Sequence, residues 1–167
     1  MQKLLFLMLV LAVCILQSPL HAQTAAGQVT IEGDIPKTVV LTADQFKAMN
    51  RITIHSTDMA GKAHDYSGVA VTDILKSAGI IQPAFNRDNL TKYVIVRSSD
   101  NYEVLFSMSE LDSAFSGRTI ILADMADGQP LPLAKGPYKI VIPGEEKRQA
   151  RSIWSVTHFI IRNSKDQ

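Results

Sequence analysis

The residues best suited to chemistry gather in IPGEEKRQAR, positions 142 to 151. There Lys147, Arg148 and Arg151 follow a Pro-Gly turn, between two apolar runs. This is either a solvated turn between two strands or a cradle for an anion. Arginine's planar fork can meet a phosphate through two parallel hydrogen bonds. A second set surrounds RITIHSTDMAGKAHD, where His55, Asp58, His64 and Asp65 offer two imidazoles and two carboxylates. Zinc takes such ligands, yet their spacing matches no tight ligand motif, and polar strand and turn residues are the simpler reading. His55 and Ser56 are adjacent on an extended run and point to opposite faces. They cannot work as base and nucleophile, so a hydrolase is rejected.

The elements that must position these groups follow from patterning. LLFLMLVLAVCIL, Leu4 to Leu16, follows Lys3 and precedes Gln17-Ser18-Pro19 and Leu20-His21-Ala22. Positive, apolar, polar, then small is the order of a secretory signal peptide, and the run is shorter than the roughly 20 residues of a membrane span. Cleavage after Ala22 is expected, leaving residues 23–167 as one domain without a membrane span. Lys3 is the leader's single charged residue, so 16 acidic side chains then face 16 basic ones. That balance speaks against nucleic acid as a partner. Cys14, the only cysteine, also lies in the leader, so the core alone must hold the fold.

QVTIEGDI, RITIHST, KYVIVRS, YEVLF, TIILAD, YKIVI and IWSVTHFIIR read as strands, and KYVIVRS is apolar enough for a central position. AGKAHD reads as a turn. Thr42 with Gln45, and Ser107 with Glu110, form capping boxes opening short helices toward Met49 and Phe115. Val71, Ile74, Leu75 and Ala78 stand at helical spacing before Gly79. About three short helices and seven or eight strands without regular alternation give an α+β fold with a mixed or antiparallel sheet. Trp154 is expected in the core or as a groove wall, and His158 as a half-buried strand histidine.

YSGVAVTDILKSAG, SSDNYEVLFSMSEL and ILADMADGQPLPLAKGPYKIVIPGEEKRQAR stand in the order of the molybdopterin-binding domain of the sulfite oxidase family. The sequence resembles that family over roughly Gln28 to Arg162. The resemblance implies that the loop after the Pro-Gly turn faces the pterin phosphate, through Lys147, Arg148 and Arg151. It also implies that Asp100 and Tyr102 line a pocket, and that His55 and Ser56 stand near the family's metal-binding cysteine. A hydroxyl or imidazole replaces a thiolate poorly, and Asp58-Met59-Ala60 stands where the family has a Gly-Asn-Arg type turn. Asn101 replaces the usual glycine, and Asn tolerates positive φ. The family's cofactor is inserted before export of the folded protein, which needs a twin-arginine signal, and this leader has only Lys3.

Three functional expectations follow. The first is a periplasmic or secreted binding module, without metal, for a small anionic ligand or an envelope protein partner. The second is a molybdopterin-dependent oxidoreductase. The third is an accessory envelope subunit that docks through its sheet edges.

Overall fold

The computed structural model describes residues 27–58, 60–81, 87–145 and 149–166. The expected signal peptide, Lys147 and Arg148 lie outside the described residues. None of the described helices is long and apolar enough to cross a membrane.

Among the described residues, ten strands make two five-stranded sheets, accompanied by four short helices. In the first, β1 (Val29–Gly33), β2 (Val39–Leu41), β5 (Lys92–Ser98), β6 (Glu103–Ser107) and β10 (Val156–Asn163) run in the order β2-β1-β10-β5-β6. Only its β1–β10 pair is parallel. In the second, β3 (Arg51–Thr57), β4 (Ala63–Ala70), β7 (Ile121–Ala126) and β8 (Gln129–Pro130) follow one another, with β9 (Lys139–Val141) also paired to β7; every pair is antiparallel. The class is therefore α+β, with mixed and antiparallel pairing.

One large apolar cluster joins the sheets. Val29 and Ile31, Val94 and Val96, Val104 and Phe106, and Phe159 and Ile161 turn inward at period two, each at most 8% exposed. Helix α2 (Val71–Ser77) places Val71, Ile74 and Leu75 on the same core, each fully buried. It ends as its glycine foretells. Gly79 has φ 74, and the amides of Gly79 and Ile80 donate back to Lys76 O and Leu75 O at 2.9 and 3.0 Å.

Helix α1 (Ala43–Ala48) carries the complete Thr42–Gln45 capping box. The second box forms only by half. Ser107 accepts the Glu110 amide at 3.1 Å at the start of α3 (Met108–Leu111), but the Glu110 carboxylate turns to two arginines instead. Asp112 then caps a separate turn, α4 (Ser113–Ser116), so the run toward Phe115 is two short helices.

The largest correction concerns AGKAHD. Ala63, His64 and Asp65 are not in a turn but open the eight-residue strand β4. Alternation fails there because β4 is polar at its start and apolar throughout its end, where it enters the core between β3 and β7. Gly68 allows that entry. Any Cβ there would lie 2.0 Å from Leu122 O, at the bulge where β4 and β7 shift register.

Candidate functional site

Three chain segments meet at one end of the molecule. They are the turn between β5 and β6, the 3₁₀ turn Leu133–Lys135, and the stretch from Ala150 into β10. Ser155 stitches them together. Its carbonyl accepts the Ser99 amide at 3.0 Å, and its own amide donates to Lys135 O at 3.1 Å. Gly136 permits the contact, since a Cβ there would lie 2.5 Å from Ser155 Oγ, and its φ is 73.

Ser98, Ser99, Ala134 and Ser155 are walls common to two adjoining clefts of about 420 and 480 Å³. The first also holds Asn101, Thr157 and His158. The second holds Asp100, Tyr102, Ser152 and Trp154. The expected pocket residues Asp100 and Tyr102 thus share one cleft, and the expected groove wall Trp154 joins them. Asn101 has φ 65, as a glycine substitute must. His158 is partly buried, with Nδ1 2.9 Å from the Thr157 hydroxyl.

Asp100 is held by its own turn. The Ser98 hydroxyl donates to its carboxylate, and the Tyr102 amide does so at 3.2 Å. Those bonds, the hydroxyl's foremost, hold the acid below the usual carboxylate range. The Tyr102 hydroxyl donates to Ala150 O at 2.9 Å and closes the cleft's side.

Arg151 is brought to this end, but its charge is already matched. Its Nη2 lies 2.7 Å from Glu110 Oε1 and its Nη1 3.3 Å from Glu145 Oε1. Arg118 binds the same two carboxylates at 3.1 and 2.9 Å. Two guanidiniums and two carboxylates make a neutral, partly buried square. Arg151 also stacks over Phe106, 4.6 Å from the ring centroid. Its role in this geometry is to tie the segment after the Pro-Gly turn to α3.

A different pair of cations lies against an aromatic ring instead. Lys135 Nζ and Lys139 Nζ lie 5.0 and 4.5 Å from the centroid of the Trp154 ring. Lys139 is 2% exposed, and it also lies 4.4 Å from the Tyr66 ring centroid and 3.2 Å from the Tyr66 hydroxyl. Among the described residues neither lysine has a carboxylate within ion-pair distance. Burial, then the repulsion of Lys135, pushes the Lys139 amine down to about 8, against the pull of Asp58. Burial, followed by the charges of Asp58 and Asp127, pushes the Tyr66 hydroxyl up. Sequence reasoning passed over Lys139, although one lysine inside the apolar run YKIVI was the signal.

The histidines and aspartates of β3 and β4 divide into two groups. His55 and Asp65 face each other across the ladder at 2.8 Å, both largely exposed. His64 stands between Asp127, at 2.6 Å from Nδ1, and Asp58, at 3.5 Å from Nε2. Backbone amides hold both carboxylates low, that of Lys62 for Asp58 and that of Asp65 for Asp127, with His64 adding to each. Among the described residues no group of three such side chains could hold a metal.

His55 belongs to the exposed side of β3, where it pairs with Asp65, and it lines neither cleft. Ser56, 7% exposed, points to the other side of the strand. This donor set does not fit a thiolate-held metal. Beyond Cys14 the sequence has no sulfur ligand except methionine, and Ser56 and His55 offer a hydroxyl and a carboxylate-bound imidazole.

The family model described as "oxidoreductase molybdopterin binding domain" matches residues 16–157. No curated protein matches the chain. Among solved structures, the sulfane dehydrogenase SoxCD from Paracoccus pantotrophus is similar, with a TM-score of 0.62 and 20% identity. The match covers 81% of this chain and 38% of that one, so the likeness is one of fold and spans about two fifths of the larger protein.

Proposed function

Since the chain belongs to the oxidoreductase molybdopterin binding domain family, we propose that it is an exported, metal-free member whose cleft binds a small anionic ligand. The observation that carries this reading is the lysine pair on Trp154. Two ammonium groups share one indole at the wall of a cleft rich in hydroxyls, with no carboxylate within ion-pair distance of either among the described residues. An anion at that edge would meet the exposed Lys135, with the buried Lys139 adding to the local field, while Ser99, Ser152 and Ser155 supply hydrogen bonds to its polar oxygens.

Residues 1–22 are proposed as the leader that directs export through the general secretory route. The metal-free half of the reading rests on the donor set of β3. The molybdopterin-dependent alternative draws on family membership, and metal content separates the two.

Melting temperature with inorganic phosphate or pyrophosphate tests the proposal. A ligand that binds only the folded state raises it with the logarithm of its concentration once the site is saturated. The expected result is a rise for the unaltered protein that is lost in Lys135→Ala, whose exposed side chain can be removed at a stability cost of about 0.5 kcal/mol or less. No rise in the unaltered protein overturns the anion reading. Stoichiometric molybdenum in protein purified from its own cell envelope overturns the metal-free reading and establishes the oxidoreductase.

A further inference from the structure

The first sheet ends at β6, and that edge has an unusual pattern. The Ser98 amide donates to Tyr102 O at 3.0 Å, which makes this residue pair the first hydrogen-bonded rung of the β5–β6 hairpin. Antiparallel rungs alternate, so Val96–Val104 and Val94–Phe106 are the next bonded pairs. The backbone amides of Glu103, Leu105 and Ser107 therefore point away from β5, toward an edge that no other described strand covers.

On the sheet's outer face, Ile160 stands beside Ile95, and Ile95 beside Leu105. This apolar row runs across three strands and stops at the edge, where Leu105 is 56% exposed. Leu90 and Phe115, 56% and 60% exposed, stand on a second 3₁₀ turn, Arg87–Thr91, and on α4, which both pack against α3 beside β6. Protected sheet edges usually place a lysine, a proline or a bulge in this position. Here the central residue is leucine.

We infer that β6 pairs antiparallel with β6 of a second copy of this chain, about a twofold axis at Leu105. The strand is its own complement in this register. Leu105 meets Leu105 of the second copy as a bonded pair, and Glu103 falls opposite Ser107, so no like charges face each other. The apolar row then continues as Ile160, Ile95 and Leu105 into the same three residues in reverse, within one ten-stranded sheet. Each copy contributes the same patch, so the contact closes at two. Glu103 keeps its own partner, Arg97 Nε at 2.7 Å, on the outer face. The cleft lies beyond the other end of the hairpin and is left open by this pairing.

Sedimentation of the purified protein tests the inference. The unaltered protein should sediment as a dimer, and Leu105→Lys as a monomer that melts cooperatively. Leu105→Gln, which keeps an uncharged side chain at this exposed site, serves if the lysine variant does not fold, and should weaken the dimer at least tenfold. In a Cys14→Ser background, a nitroxide on Leu105→Cys should show strong dipolar broadening, because its twin sits across the axis. A monomer at all accessible concentrations overturns the pairing. So does a dimer that Leu105→Lys leaves intact, or a nitroxide without broadening.

Discussion

Two basic clusters flank the segment that leads into β10, and they differ in one respect. Arg118 and Arg151 face Glu110 and Glu145, a square whose charges cancel and whose arginine stacks on a fully buried phenylalanine. Lys135 and Lys139 face an indole and a phenol, and their charges stand uncancelled among the described residues. Arginine's fork suits the first arrangement, because each guanidinium can serve two carboxylates at once. Lysine's single ammonium suits the second, since a compact charge can be held on an aromatic face without a carboxylate. The square ties α3 to the segment before β10, and the lysine pair is the group proposed to set the chemistry of the cleft.

The largest effect that would break this contrast comes from the floor of the square. Phe106 is 1% exposed beneath Arg151, so Phe106→Ala should cost about 3–5 kcal/mol in denaturant unfolding. If the loss is below about 1 kcal/mol, the square does not depend on its apolar base.

A middle effect is expected from Glu110. Removing it leaves both partly buried guanidiniums with Glu145 alone. Glu110→Ala should cost about 1–2 kcal/mol, between the values of exposed and buried pairs. Phosphate-induced stabilisation should persist, because the carboxylate takes no part in the lysine cleft. Loss of that response would erase the distinction between the clusters.

The smallest effect is a slope with pH. Lys139 titrates near 8 in the fold and near its ordinary value of 10.5 when unfolded. The unfolded state thus binds more protons between those values, and stability rises with pH across that window. Below pH 8 the cost of the buried charge is fully present. The advantage of Lys139→Met over the unaltered protein should therefore be greatest below pH 8 and decline toward 10.5, as read by unfolding at fixed temperature. Comparing the two proteins removes the opposite trend of Tyr66 and Tyr138, phenols raised by burial. A flat difference would mean that the amine is not desolvated.

Much of the fold was legible in local pattern. Val71, Ile74, Leu75 and Gly79 announced α2 and its end, and the Thr42–Gln45 box announced α1. RITIHST and KYVIVRS are strands with the expected bounds. β4 was hidden because its first half is polar where it runs beside the β3 edge and its last half is apolar where it enters the core. Glu110 was misread for a related reason: its spacing from Ser107 is that of a capping box, but two arginines from distant positions outcompete one local amide.

The candidate site was legible only in part. Asp100 and Tyr102 share a cleft, whereas His55 belongs to an exposed pair on the other sheet. Lys135 and Lys139 drew no notice, since nothing nearby in sequence marks them as partners of Trp154.

The sequence by itself determined most of the elements, the lack of a sulfur ligand beyond residue 14 other than methionine, and the membership of a family, because these depend on neighbours along the chain or on residue types alone. Which cations are neutralised and which remain open was decided only by the tertiary structure. Charge pairing acts over a few ångströms of space, and the fold brings Glu110 to Arg151 across 41 positions and Tyr66 to Lys139 across 73.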